Sequence, residues 1–498
     1  YIGTHIDGAG GLENGLDGVL IYGGASGNII GGDSPAKRNL LSGNKRDGVR
    51  IMGAGSNNNL VIGNHIGVDV SGVGTLENQE NGVHILGGAQ NNTIGGNSPA
   101  QRNVISANFE NGILLSDVGT INTTISGNYI GLAADGDLVL GNGYSGIVVE
   151  GGVSDVTIGG DEPGEGNVIS GNADYGLAIH SVDTHTFVIS GNYVGTDASG
   201  RLDRGNTSSG VHIYYGAHNG VVGGDSPGER NVISGNEAEG IYIWGGSTGV
   251  GDVLISGNYI GLAADGASGL GNSGHGVSLS VYAFDITIGG DLATQGNVIS
   301  ANGGHGVYLG GADVTQNSVL GNIIGSDASG FMELGNGQNG IKIVNSAYDN
   351  TIGPGNLIVH NLADGVGIDS PGTVGNAISQ NSIYNNALTG IQLSDGGNNE
   401  LPAPLIENVN LGPLELSGTA CPACLVELFA SMDDQGEGQY FLGSVTAQAS
   451  TGEYSLEVGF LPGSYLTATA TDASDGTSEF STVYETTIHS LLLPYVGG

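Results

Sequence analysis

NQENGVHILGGAQNNTIGGNSPAQRNVISANFENGILLSDVGTINTTISGNYIGLAADGDLVLG, residues 78–141, holds two rounds of a single pattern. Each round opens on an asparagine, Asn78 or Asn108. Four residues later comes a glycine, and then an apolar-x-apolar triplet, VHI at 83–85 and ILL at 113–115. A period of two, Val and Ile in excess and bounding glycines specify short strands rather than helix. The first round continues through NTIGG (92–96) and NVIS (103–106), the second through TTIS (123–126) and YIG (129–131). Each round therefore carries three strands of a few residues, none of which can bury a face alone.

The pattern extends in both directions. Ile2, Ile66, Ile130, Val194, Ile260 and Ile324 stand 64, 64, 64, 66 and 64 residues apart. Within that unit the asparagine recurs at Asn14, Asn44, Asn78, Asn108, Asn142, Asn172, Asn206, Asn236, Asn272, Asn302, Asn336, Asn361 and Asn386. The intervals alternate between 30 and 34, with one of 36, and then shorten to 25. Such self-similarity marks a solenoid. The expected fold is all-β: a right-handed parallel β-helix of about thirteen coils over residues 1–400. With strands ~4.8 Å apart the rod is on the order of 60 Å long. Right-handedness follows from the hand of parallel crossovers. The asparagines tolerate turn backbone, and stacked coil upon coil they form an amide ladder.

Two loop types alternate along the rod. GGDSPAKRN (31–39), GGNSPAQRN (95–103) and GGDSPGERN (223–231) form one ridge, and TDASG (196–200) and SDASG (326–330) another. Arg38, Arg102 and Arg230 recur within the first type and so read as structural.

Forty-nine acidic residues stand against ten Lys and Arg, a formal net charge of −39. Phosphate neutralisation needs clustered cations, so nucleic acid is excluded as a partner. No apolar run is long enough to span a membrane. Cys421 and Cys424, in CPAC, are the sole cysteines and point to a local disulfide in an exported chain.

NVISGN (231–236), GVHI (210–213), NTIGG (92–96) and YVGTDASG (193–200) resemble the repeats of exported bacterial right-handed β-helix proteins, the class that includes pectate lyases. The resemblance spans about residues 1–400 and implies an extracellular or cell-surface location. It specifies the fold more closely than an activity, because this fold hosts lyases, glycosidases, adhesins and inert rods. Residues 401–488 resemble an immunoglobulin-like antiparallel sandwich, carried by GTACPACLVELFAS (418–431), GEGQYFLGS (436–444) and LTATATDASDGTSEFS (466–481). LPAP (401–404) reads as a stiff linker before it, and HSLLLPYVGG (489–498) as an apolar tail.

Candidate chemistry is sparse at this level. Asp135, Asp197, Asp265 and Asp327 hold equivalent turn positions and offer calcium, the one cofactor considered, carboxylate and carbonyl oxygens. Arg50, Arg201, Arg204 and Lys342 lack an obvious carboxylate partner set, and no departure from the repeat marks catalytic residues. The leading expectation is a non-catalytic structural or adhesive protein that self-associates into a filament or surface layer. Its assembly candidates are Tyr1 and Ile2, where the chain opens in mid-coil, and Leu491, Leu492, Leu493 and Tyr495 in the tail. A polysaccharide lyase or glycoside hydrolase is the alternative. A carbohydrate-binding surface resting on Tyr214, Tyr215, Tyr242 and Trp244 is a third reading.

Overall fold

The computed structural model describes residues 1–486. Every third strand joins the same sheet, giving three parallel sheets of thirteen, twelve and twelve strands wound into a right-handed β-helix. Coils are numbered here by the strands of the thirteen-stranded sheet, from Val19–Ile21 in coil 1 to Ile391–Ser394 in coil 13. The register is in line: Val83, Ile113 and Ile147 are lateral partners, as are His84, Leu114 and Val148. First and third residues of each triplet point inward, so Val83, Ile85, Ile113, Leu115, Ile147 and Val149 are all fully buried. Stacking these columns produces one continuous apolar interior from Ile21 to Ile391.

The asparagine column forms an unbroken ladder. From Asn14 to Asn386, each Nδ2 donates to the Oδ1 of the next coil's asparagine at 2.7–3.0 Å. Many of the same Oδ1 atoms also accept the preceding asparagine's backbone N–H, as Asn172 does from Asn142. A second ladder, not anticipated from the sequence, runs from Asn39 through Asn64, Asn103, Asn128 and Asn167 to Asn381 at 2.8–3.1 Å. Turn glycines stand against these amides. Gly159, at φ +95°, lies so close to the Ser190 carbonyl that a Cβ would collide with it.

Two of the three SPxxR arginines, Arg102 and Arg230, brace the coils. Arg102 Nε donates to the Gly127 carbonyl (3.3 Å), and its guanidinium lies 4.1 Å over the Tyr129 ring. Arg230 does the same with Gly257 (3.0 Å) and Tyr259 (4.2 Å). Arg102→Ala should lower stability by about 1 kcal/mol, combining a partly exposed hydrogen bond and a cation–π contact. Urea denaturation would measure it, and Arg102→Lys should restore only part of the loss.

A smaller antiparallel unit follows. Strands 405–411, 414–419 and 453–457 form one sheet; 440–446, 425–431, 465–471 and 484–485 form the other. Leu416, Val426, Leu428 and Leu466 fill the space between them. The Cys421–Cys424 disulfide closes a turn at its edge.

This sandwich folds back over the end of the helix instead of trailing from a stiff spacer. Ile383 and Gly438 exchange backbone hydrogen bonds at 2.9 Å, and Ser382 Oγ donates to the Gln439 carbonyl (2.6 Å). Phe480 packs against the last apolar layer. The Glu427 carboxylate accepts from Ser379 Oγ (2.6 Å) and the Gln380 N–H (3.0 Å). Glu437 Oε1 takes the place of the next ladder oxygen beyond Asn386, accepting from its N–H and Nδ2, each at 3.4 Å.

At the other end, Tyr1 is exposed and Ile2 forms a parallel bridge to Leu41. Leu491, Leu492, Leu493 and Tyr495 lie outside the described residues.

Candidate functional site: the outer face of the thirteen-stranded sheet

The middle residue of each triplet points away from the core. Read along the rod, that column is Leu20, Arg50, His84, Leu114, Val148, Ala178, His212, Tyr242, Ser278, Tyr308, Lys342, Gly367 and Gln392. The interior columns repeat, and this one does not. Residues after the triplet (Glu150, His180, Tyr214, Trp244) and before its glycine (Asp47, Tyr175, Glu239, His275, His305) share the face.

On coils 6–8 these columns assemble an aromatic platform. The His212 ring stacks on Tyr214 (centroids 4.1 Å, planes 16° apart) and on Tyr242 (4.8 Å, 8°), and Tyr175 leans against it at 4.5 Å. Tyr215 joins Tyr214 to Trp244 at 5.2 and 4.8 Å, and His180 stacks on Tyr214 at 4.5 Å. A second stack, His275–Tyr308 at 4.8 Å and His275–His305 at 5.1 Å, continues the surface on coils 9 and 10. Beside the platform, the second sheet's strands lengthen to six or seven residues on coils 5–9, 154–159 through 283–289. The repeat thus departs from itself in two sheets over the same coils.

Electrostatics sort these groups into roles. Burial holds the His212 imidazole down to about 3, and neither ring nitrogen finds a hydrogen-bond partner. It is a neutral aromatic plate. Burial also takes His305 to about 3, and its Nδ1 accepts the Asn339 N–H (3.1 Å), as His275 Nδ1 accepts that of His305 (2.9 Å). Those two histidines cap backbone. Glu150, Asp174 and Glu239 line the platform half-buried, and His180 Nε2 reaches Glu150 Oε2 at 3.1 Å. The hydrogen bond from His180 keeps that carboxyl below its ordinary value.

Several sequence readings change here. Arg50 has carboxylate partners, Asp47 at 3.0 Å and Glu80 at 3.9 Å, and Lys342 pairs with Asp369 at 2.5 Å. Arg204 clamps Asp137 at 2.7 Å across the lateral ridge. His84 and His212 stand in the outward column, yet neighbouring side chains cover both almost completely. The four turn aspartates each close their own loop. Asp135 Oδ1 accepts from the N–H groups of Asp137 and Leu138, and Asp265 Oδ1 from those of Ala267 and Ser268. Asp197 Oδ1 binds Arg201 and Leu202, and Asp327 Oδ1 binds Phe331 and Met332. Among the described residues no three His, Cys, Asp or Glu side chains converge as a metal would require. Ser116, Asp47, Tyr175, His180, Glu150 and Asp369 were not singled out from the sequence. Aligning the coils and reading the outward columns down the rod is the signal that finds them.

No family model matches the chain, and no curated protein does. Solved structures do. The A-module of the mannuronan C-5 epimerase AlgE4 of Azotobacter vinelandii aligns at 18% identity over 74% of this chain and 88% of its own, with a TM-score of 0.35. The Dettilon tailspike protein aligns at 15% identity over 83% and 70%, TM-score 0.35. The periplasmic alginate epimerase AlgG aligns at 15% over 68% and 69%, TM-score 0.33.

Proposed function

We propose that the outer face of the thirteen-stranded sheet binds an uncharged polysaccharide laid along the rod, and that the protein acts on glycans outside the cell. The observation that carries this reading is the contiguous stack Tyr175–His212–Tyr214–Tyr242 with Trp244 and Tyr215 beside it. Sugar rings present flat C–H faces, and the partly exposed rings of Tyr175, Tyr214, Tyr242 and Trp244, packed around the buried His212, offer apolar area with polar edges at little entropic cost. Three carboxylates on the rim supply acceptors for sugar hydroxyls. The local disulfide suits an oxidising compartment.

Charge narrows the ligand. Both cations of the outward column, Arg50 and Lys342, are neutralised by Asp47 and Asp369, and the chain carries −39. A uronic-acid polymer would meet repulsion along the whole face. Neutral glycans would not. Assembly through the ends has less behind it, since the sandwich already covers the C-terminal end of the helix.

Calorimetric titration with neutral and acidic oligosaccharides tests the reading. Trp244→Ala and Tyr242→Ala should each weaken neutral-glycan binding by at least about tenfold, the order expected for a central aromatic anchor. Binding of acidic but not neutral chains, or indifference to both substitutions, would discard it. Sedimentation of the same samples reads self-association directly.

A further inference from the structure

Two coils before the platform, three side chains on the same face converge from consecutive coils. His84 Nε2 lies 3.0 Å from Ser116 Oγ, and His84 Nδ1 lies 3.4 Å from Asp47 Oδ2. The first distance is a hydrogen bond; the second is an approach that falls short of one. Catalytic hydrogen bonds in unliganded sites are commonly loose and tighten with substrate. With a carboxylate beside Nδ1, the ring proton belongs there, and Nε2 accepts from the serine.

We infer that Ser116, His84 and Asp47 form a nucleophile–base–positioning triad that hydrolyses small acyl esters. Attachment of the ester to a neutral glycan rests on the platform reading; the serine chemistry does not.

Each member is held in place. Asp47 is fully buried, and its Oδ1 accepts from the N–H and Nδ2 of Asn81, both at 3.0 Å. Oδ2 is thus left for His84 and for Arg50 Nη1 (3.0 Å). Burial pushes the Asp47 carboxyl up, but His84 and Asn81 outweigh it and leave it below its ordinary value. Ser116 N–H donates to the Ile85 carbonyl, and its own carbonyl accepts from Thr120 Oγ1 at 2.8 Å. No other coil repeats the set: serine recurs at this position as Ser280 and Ser394, but the outward residue of the preceding coil is then Tyr242 or Gly367 and not a histidine. A repeat-wide structural contact would recur, and this one does not. Ser116 is only 8% exposed, so an unhindered acyl group reaches its Oγ more readily than a bulky one.

The reaction balances with water as co-substrate. Ser116 Oγ bonds to the acyl carbon as His84 Nε2 takes the hydroxyl proton. The ester C–O bond breaks, and the sugar hydroxyl leaves with that proton. Water, deprotonated by His84, then displaces Ser116 and releases the carboxylic acid. Asp47 orients the imidazole and stabilises its charged form without itself taking up the proton.

The test uses the full chain, a fluorophosphonate probe with peptide mass mapping, and acetate release from an O-acetylated neutral glycan. Labelling is expected at Ser116 alone. Ser116→Ala and His84→Asn should each slow labelling and acetate release at least about a hundredfold, while Ser199→Ala, in a ridge turn, leaves both unchanged. Asp47→Asn keeps the acceptor for Asn81 but sets an amide N–H against Arg50 Nη1, so circular dichroism checks its fold before it is assayed. The substitution should slow labelling and lower kcat for acetate release at least about tenfold while leaving KM within about twofold, because the imidazole loses the acceptor that orients it for the transition state. No label, label at Ser181 (whose Oγ lies 3.1 Å from His180 Nδ1), or label retained in Ser116→Ala overturns the triad. Glycan binding by the same preparations separates the two readings. Binding without labelling removes the triad and leaves the platform, whereas labelling at Ser116 without glycan binding removes the platform and leaves the triad.

Discussion

Asn172→Ala should destabilise the protein by about 2–5 kcal/mol, a large share of the stability of an ordinary domain. Asn172 sits near the middle of the first ladder, where its Oδ1 accepts the Asn142 N–H and Nδ2 at 3.3 and 2.9 Å. Its Nδ2 donates to Asn206 Oδ1 at 2.9 Å. Truncation leaves a buried backbone N–H on one side and removes a donor from a buried oxygen on the other, each worth roughly 1–3 kcal/mol. No water can enter, because the position is completely closed. Asn172→Asp should cost more near neutral pH, placing a carboxylate oxygen against Asn206 Oδ1, and should partly recover in acid. Urea titration measures the loss, and hydrogen exchange should place the opening at coils 5–7. Exposed Asn97→Ala, as a control, should stay within about 0.5 kcal/mol. A ladder variant as mild as that control would mean that the amides contribute little beyond filling space.

The second large effect is on pH. Burial raises the Glu437 carboxyl to about 7, and the hydrogen bonds from Asn386 only partly oppose it. The folded protein therefore keeps this proton over a range in which the unfolded chain, near its ordinary 4.5, has lost it. Stability from this group is complete below about 4.5 and is lost as pH rises through about 7. The shift corresponds to roughly 3 kcal/mol. Glu427, raised by burial despite Ser379 and Gln380, acts in the same direction. Asp47 and Asp197, held below their ordinary values, act oppositely and withdraw stability only in strong acid. Glu437→Gln preserves an oxygen for Asn386 and abolishes the ionisation. It should match the parent at pH 4.5 and exceed it by up to about 3 kcal/mol at pH 8. Identical profiles for parent and variant would show that the seam between helix and sandwich does not govern the pH response.

The coil architecture was legible because burial repeats. Val83, Ile85, Ile113 and Leu115 obey period two, and Asn78 and Asn108 mark where each coil begins. The second ladder was equally open to reading, since Asn64, Asn103, Asn128 and Asn167 alternate at intervals of 39 and 25, but its members hide among the SGN and RN turns. The outer face was not legible by motif. Asp47, His84 and Ser116 occupy three different columns on three coils, so no spacing rule links them and only lateral registration brings them together. Arg50 has Asp47 three residues before it in the same coil, and only its second partner, Glu80, needed lateral registration to be found. The seat of the sandwich was least accessible. Glu427 and Glu437 carry no mark in the sequence, and nothing in local periodicity tells that a buried amide row waits opposite them.

The alternation of two loop types makes the rod divisible only by pairs. A coil bearing an SPxxR turn has coils of the other loop type beside it, so a tandem duplication of residues 78–141 would continue both asparagine ladders and the apolar columns, though not the outward contacts of Asp47 with His84 and Asn81. It would lengthen the molecule by ~9.6 Å. Loss of a single coil would instead set two like turns side by side, where Arg102 or Arg230 would face the wrong ring. Inheritance can therefore adjust the reach of this protein in steps of one 64-residue unit, as a ruler is cut at its marks. The two 25-residue coils before the sandwich are exempt, carrying neither ridge.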